Sequence, residues 1–95
     1  MGQPPLQQDT LPRTEPVKVH EPIRVAVDFN SQNVRPLAFL WGGKKYTVKR
    51  VNLVYKRRQG NGFQWCFAVS DEANSYVLLY DAQTMQWTLE EVYAL

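Results

Sequence analysis

Residues 63–70 read FQWCFAVS. Phe63, Trp65, Phe67 and Val69 alternate with Gln64, Cys66, Ala68 and Ser70. A strict period of two is the pattern of a β-strand with one face buried, since successive side chains leave opposite faces. Turn formers bound the stretch on both sides, Gln59-Gly60-Asn61-Gly62 before it and Ser70-Asp71-Glu72-Ala73-Asn74 after it. On this reading Phe63, Trp65 and Phe67 share one face and build core.

Toward the C-terminus, Tyr76, Leu78 and Tyr80 share one face of the next strand, while Val77 and Leu79 share the other. Apolar residues on both faces predict a central strand covered from both sides. Asp81-Ala82-Gln83-Thr84 is a further turn. Trp87 and Leu89 begin a last strand whose phase shifts near Glu90-Glu91. Toward the N-terminus, the strand over 44–58 places Tyr46 and Val48 in one phase and Val51, Leu53 and Tyr55 in the other. A one-residue slip predicts a bulge or bend near Lys49-Arg50. Trp41-Gly42-Gly43-Lys44 predicts a tight hairpin, because two glycines supply the positive φ angles of its turn. Leu37, Phe39 and Trp41 form the strand before it. Ile23, Val25, Val27 and Phe29 form the first, after which Asn30-Ser31-Gln32-Asn33 is a linker.

Six strands follow, with neighbours in sequence paired antiparallel. No window from residue 22 onward has helical periodicity with caps. The expected architecture is all-β, a curled antiparallel meander or a small SH3-like barrel spanning 22–95 as one domain. Residues 1–21 read as a disordered tail. Four of the six prolines lie there (Pro4, Pro5, Pro12, Pro16), and apolar residues are too sparse to offset the entropy of ordering.

Composition narrows the chemistry. The chain has 95 residues and one cysteine, Cys66, so no internal disulfide forms and no Cys/His cluster offers a zinc site. The lone histidine, His20, sits between Lys18-Val19 and Glu21-Pro22, away from any partner base. Cys66 lies mid-strand between Trp65 and Phe67, the place of a packing thiol and not of an activated nucleophile. Gly42-Gly43 and Gly60-Asn61-Gly62 lack the context of a phosphate-binding loop. No enzyme, cofactor or metal is expected. No signal segment or apolar run of about 20 residues is seen, so no membrane partner is expected and the expected compartment is the cytoplasm.

Charge is uneven although the net charge is only +2. Residues 44–58 hold seven basic side chains and no acid: Lys44, Lys45, Lys49, Arg50, Lys56, Arg57 and Arg58. After Arg58 come five acids, Asp71, Glu72, Asp81, Glu90 and Glu91, and no Lys or Arg. In one reading, basic and acidic strands pair across the sheet. In the other, the basic strand binds phosphates and aromatic side chains beside it stack on bases. Trp41, next to the Gly-Gly hairpin, is the aromatic expected to stay uncovered.

The string PLAFLWGGKKYTV over 36–48 resembles a bacterial domain of unknown function with an aromatic, a Trp, a Gly and a Tyr-x-Val at this spacing. Tyr55, Trp65, SYVLLYD over 75–81 and WTLEEVY over 87–93 are similar to its later strands. The likeness spans 22–94. It departs where the family often has Tyr-Glu-Leu-Tyr and this chain has Tyr76-Val77-Leu78-Leu79. Members occur alone or at the C-terminus of Y-family DNA polymerase-like proteins of bacterial mutagenesis systems. The resemblance therefore implies a bacterial cytoplasmic protein linked to DNA damage tolerance, and assigns no activity or binding residue. The expectation put first is a non-enzymatic protein–protein adaptor that docks a partner on a sheet edge or on the Trp41 hairpin. The alternative is a sequence-tolerant binder of single-stranded nucleic acid using Trp41, Lys45, Lys49, Arg50, Lys56, Arg57 and Arg58.

Overall fold

The computed structural model describes residues 16–30 and 33–94. Seven antiparallel strands form one curled sheet: β1 (Val17–Phe29), β2 (Val34–Trp41), β3 (Lys44–Thr47), β4 (Arg50–Gln59), β5 (Gly62–Ser70), β6 (Asn74–Asp81) and β7 (Gln86–Ala94). Their order across the sheet is β3-β2-β1-β7-β6-β5-β4. The described residues contain no helix, and so none long and apolar enough to cross a membrane. The all-β class and the curled antiparallel arrangement agree with the sequence reading.

Three details correct that reading. There are seven strands and not six, because the bend expected near Lys49-Arg50 falls at Val48-Lys49 and divides 44–59 into β3 and β4. These two do not pair with each other. β3 pairs with β2, and β4 pairs with β5. The sheet is not closed into a barrel. Finally, β1 begins at Val17, so residues 17–21, read as tail, belong to a strand that pairs with β7 through Val17↔Val92, Lys18↔Glu91 and Glu21↔Leu89. A register shift between Lys18 and Glu21 hides this pairing from the sequence, with His20 at φ 53° inside it. The earlier part of the expected tail lies outside the described residues.

The curl comes from β1. Its first part, Val17 to Ile23, pairs with β7, and its second part, Arg24 to Phe29, pairs with β2. A strand that changes partners turns a corner between two sheet halves. The halves, β1-β2-β3 and β7-β6-β5-β4, then face each other over a core of Ile23, Phe39, Phe67, Val69, Tyr76, Leu78 and Leu89. Phe39 of β2 stacks on Tyr46 of β3 at 5.2 Å and meets Tyr76 of β6 edge-on at 5.1 Å. Such pairs add about 0.5–1.5 kcal/mol each beyond area burial. The opposite face of β6 is covered as expected, with Val77 and Leu79 buried beside Cys66. The β2–β3 hairpin has the predicted backbone, Gly42 at φ 59° and Gly43 at φ 78°.

The β5–β6 turn is held by one carboxylate. Asp71 Oδ1 accepts the backbone N–H groups of Ala73 and Asn74, each at 2.8 Å, and Tyr76 donates its hydroxyl to Asp71 Oδ2 at 2.8 Å. Burial pushes the Asp71 carboxyl up, but these hydrogen bonds outweigh it and hold the group below the ordinary carboxylate range. Burial and the neighbouring carboxylate push the Tyr76 phenol up to about 12, with a hydrogen bond from Asn74 opposing, so it remains a neutral donor.

Two predictions follow from this packing. Leu78 has no exposed surface, so Leu78→Ala leaves a cavity in the shared core and lowers stability by about 2–5 kcal/mol, read as a fall in the urea midpoint. Asp71 has a folded pKa below its unfolded value of about 3.9. Its contribution is complete above that value and is lost as pH falls toward the lowered pKa. Asp71→Asn is expected to lower the melting temperature at pH 7 and to flatten its decline below about pH 4.

Candidate functional site

Alternation along β4 sorts the basic residues between two faces. The pairs Val54↔Phe67, Lys56↔Trp65 and Arg58↔Phe63 lie on the side of the sheet that faces the core. Tyr55↔Cys66 and Arg57↔Gln64 lie on the other. Adjacent in sequence, Lys56, Arg57 and Arg58 therefore enter different surroundings.

Arg57 is committed to the outer face. Its guanidinium donates Nη1 to Glu90 Oε1 at 3.2 Å and sits 3.1 Å from Glu90 Oε2 through Nη2, which also donates to Gln64 at 3.1 Å. The pair reaches from β4 to β7 across two strands, over the face that carries Cys66. The hydrogen bond to Glu90 raises the Arg57 pKa further, and Arg57 Nε is buried without a hydrogen-bond partner among the described residues. Burial pushes the Cys66 thiol up, which keeps it protonated and poorly nucleophilic. Arg57 is thus a structural cation and not a free one, contrary to its placement in the expected binding set.

Lys56 and Arg58 have different neighbours. Lys56 Nζ stands 4.9 Å from the Phe63 ring centre and 5.5 Å from that of Trp65, and the Arg58 guanidinium carbon stands 5.5 Å from Phe63. Phe63 is 45% exposed and Trp65 40%, although both were expected in the core. They lie at the start of β5, next to the β4–β5 turn. The cations and rings form a ladder on the surface, and the described residues give Lys45, Lys49, Arg50, Lys56 and Arg58 no ion pair. Cross-strand charge pairing therefore accounts for Arg57 alone among the seven basic residues of 44–58.

One groove adjoins this ladder at Trp65, and a second lies beyond it toward the start of β4. The first, of about 390 Å³, has Phe67, Tyr80 and Trp87 along its base and Phe29, Val54 and Trp65 around it. The second, of about 440 Å³, carries Arg35, Lys49 and Arg50. Asn33, Val34 and Val54 line both, so the two are continuous, and among the described residues no acidic side chain lines either. Asp28 stands opposite Arg35 in the β1–β2 register but makes no ion pair with it among the described residues.

The structure thus gathers Lys49 and Arg50 with Arg35 at one end of β4 and Lys56 with Arg58 at the other, and leaves out Trp41 and Lys45. Trp41 is the expected exposed aromatic, yet its indole N–H donates to Glu21 Oε1 at 2.8 Å and its ring packs 5.7 Å from Tyr46. Lys45 lines a separate shallow surface with Arg24 on the β1-β2-β3 half. Phe29, Arg35, Tyr80 and Trp87 join the site without having been singled out for it. Phe29 and Arg35 flank the linker between the first two strands, and their alternation marked strands without showing what faced them. Among the described residues no group of three or more His, Cys, Asp or Glu side chains could hold a metal. Comparison with known protein families, curated proteins and solved structures finds no match.

The Arg57–Glu90 pair predicts an asymmetry between single and double replacement. Glu90 is buried, so Arg57→Met strands a carboxylate and costs about 2 kcal/mol, discounted because the Arg57 side chain is 37% exposed. Arg57→Met with Glu90→Met removes both charges and recovers most of that loss in chemical denaturation.

Proposed function

We propose that this chain binds single-stranded nucleic acid along β4 and the adjoining grooves. The observation that carries the reading is the ladder of Lys56 and Arg58 over the exposed rings of Phe63 and Trp65, with no acid paired to either cation. Sequence-tolerant single-strand binders combine cations that track the phosphate backbone with aromatic faces on which unpaired bases stack. Lys49, Arg50 and Arg35 extend the positive track along the second groove. The chemistry asked of the site is adhesion only: charge neutralisation by exposed cations and stacking by exposed rings. The resemblance to a domain appended to Y-family polymerase-like proteins adds a setting that fits this activity, DNA damage tolerance in a bacterial cytoplasm.

A protein-docking role has its own support. β4 is an edge strand with one side of its backbone unpaired, and Leu53 and Tyr55 are exposed on the face away from the grooves. A partner strand added to this edge would use those side chains. It would not depend on Lys56 or Arg58.

The deciding measurement is fluorescence anisotropy with a labelled oligothymidylate at several salt concentrations. Neutralising about four phosphates on a single strand makes log K fall with log salt at a slope near −3. Reversing Lys56 and Arg58 to Glu is expected to weaken binding by about ten-fold or more and to bring the slope closer to zero. Arg57→Met leaves both unchanged. Absence of binding at low salt, or equal binding by the charge-reversed variant, overturns the reading.

A further inference from the structure

The aromatic groove differs in kind from the ladder beside it. Phe67, Tyr80 and Trp87 pack on one another at its base, with ring centres 4.9 Å apart for Tyr80 and Trp87 and 5.4 Å for Phe67 and Trp87. Phe29 reaches it from β1 and is 70% exposed, an unusual state for a ring of this size. Neither the Trp65 nor the Trp87 indole N–H, nor the Tyr80 hydroxyl, hydrogen-bonds to another described residue. At about 390 Å³ the groove falls at the lower end of small-molecule sites, about 300–1,000 Å³. It opens directly onto the cations Arg35, Lys49 and Arg50.

A ligand that complements this layout has a flat apolar head with hydrogen-bond acceptors, joined to an anionic chain. A second copy of the protein does not fit, because it would set the same cations against each other. A purely apolar segment leaves the cations unanswered. We infer that the groove receives one unstacked nucleobase of a bound strand, seated on Trp87 and Tyr80 and covered by Phe29, with the adjoining phosphates on Lys49 and Arg50. This inference rests on the single-strand reading above and assigns that strand a distinct base pocket apart from the ladder. It also gives the protein a reason to prefer unpaired strands, since a base held in a duplex is not free to enter.

The test follows the three tryptophan indole N–H resonances of ¹⁵N-labelled protein as an eight-residue oligothymidylate is added, alongside anisotropy on the Phe29→Ala variant. Trp41, held by Glu21, serves as the internal reference. The expected result is that the Trp87 resonance moves with the oligonucleotide while Trp41 stays. Phe29→Ala is expected to weaken binding by about five-fold or more, the loss of one stacked contact, with the salt slope unchanged because no cation is removed. Phe29 is exposed, so the variant keeps its fold, and Trp87→Phe offers a second probe that retains a ring at the base. If the oligonucleotide binds with its full salt slope while Trp87 is still and Phe29→Ala binds like wild type, the base pocket is wrong and the single-strand reading stands. If no oligonucleotide binds at low salt, both fall. A Trp87 shift produced by an acidic, aromatic peptide and not by the oligonucleotide also overturns the pocket.

Discussion

The fold depends on one strand changing partners. Up to Ile23, β1 is bonded to β7, and from Arg24 onward it is bonded to β2. Without that switch the seven strands would form a flat ribbon with an apolar face open to water. With it, Phe39 and Tyr46 come down onto Tyr76, and the two halves of the sheet share a core. The chain makes a second crossing at Val48-Lys49, where β3 on one half passes into β4 on the other. Backbone bonds mark this crossing, from Val48 to Leu37 and from Lys49 to Ser70, each using the N–H of the crossing residue.

The halves are filled by side chains in one part of their contact, the closed end, and leave a groove in another, the open end. At the closed end Phe39, Tyr46 and Tyr76 fill the space. At the open end Phe67, Tyr80 and Trp87 pack among themselves, and Phe29 and Val34 of the other half line the same groove. The groove is therefore a by-product of incomplete closure. Small antiparallel sheets that do not close leave edges and clefts of this kind, and these are common places for ligands.

Period two along β4 does the chemical sorting. Arg57 turns to the outer face, where Glu90, Gln64 and Cys66 surround it, and its charge serves stability. Lys56 and Arg58 turn to the groove side, where rings and not acids lie beneath them. Three adjacent cations thus have two roles, and the division requires no special residue, only the pleat.

Much of the architecture was legible in the residues themselves. Alternation identified each major strand, the glycine pair located the hairpin, and the phase slip before Val51 located the crossing, because these are local properties of a pleated backbone. The basic character of 44–58 was equally plain. What local pattern could not decide was which partner each strand takes, because pairing depends on elements far apart in the chain. The bulge at His20 concealed the start of β1. The same limit misplaced the aromatics: Trp41 is tied to Glu21, twenty residues earlier, while Phe63 and Trp65 stay exposed at the start of β5. Local sequence determined an all-β chain with one basic, aromatic-rich region. Only tertiary structure decided which of those cations are paired, which rings are uncovered, and that both meet along an open seam, since each of these depends on what lies across the core.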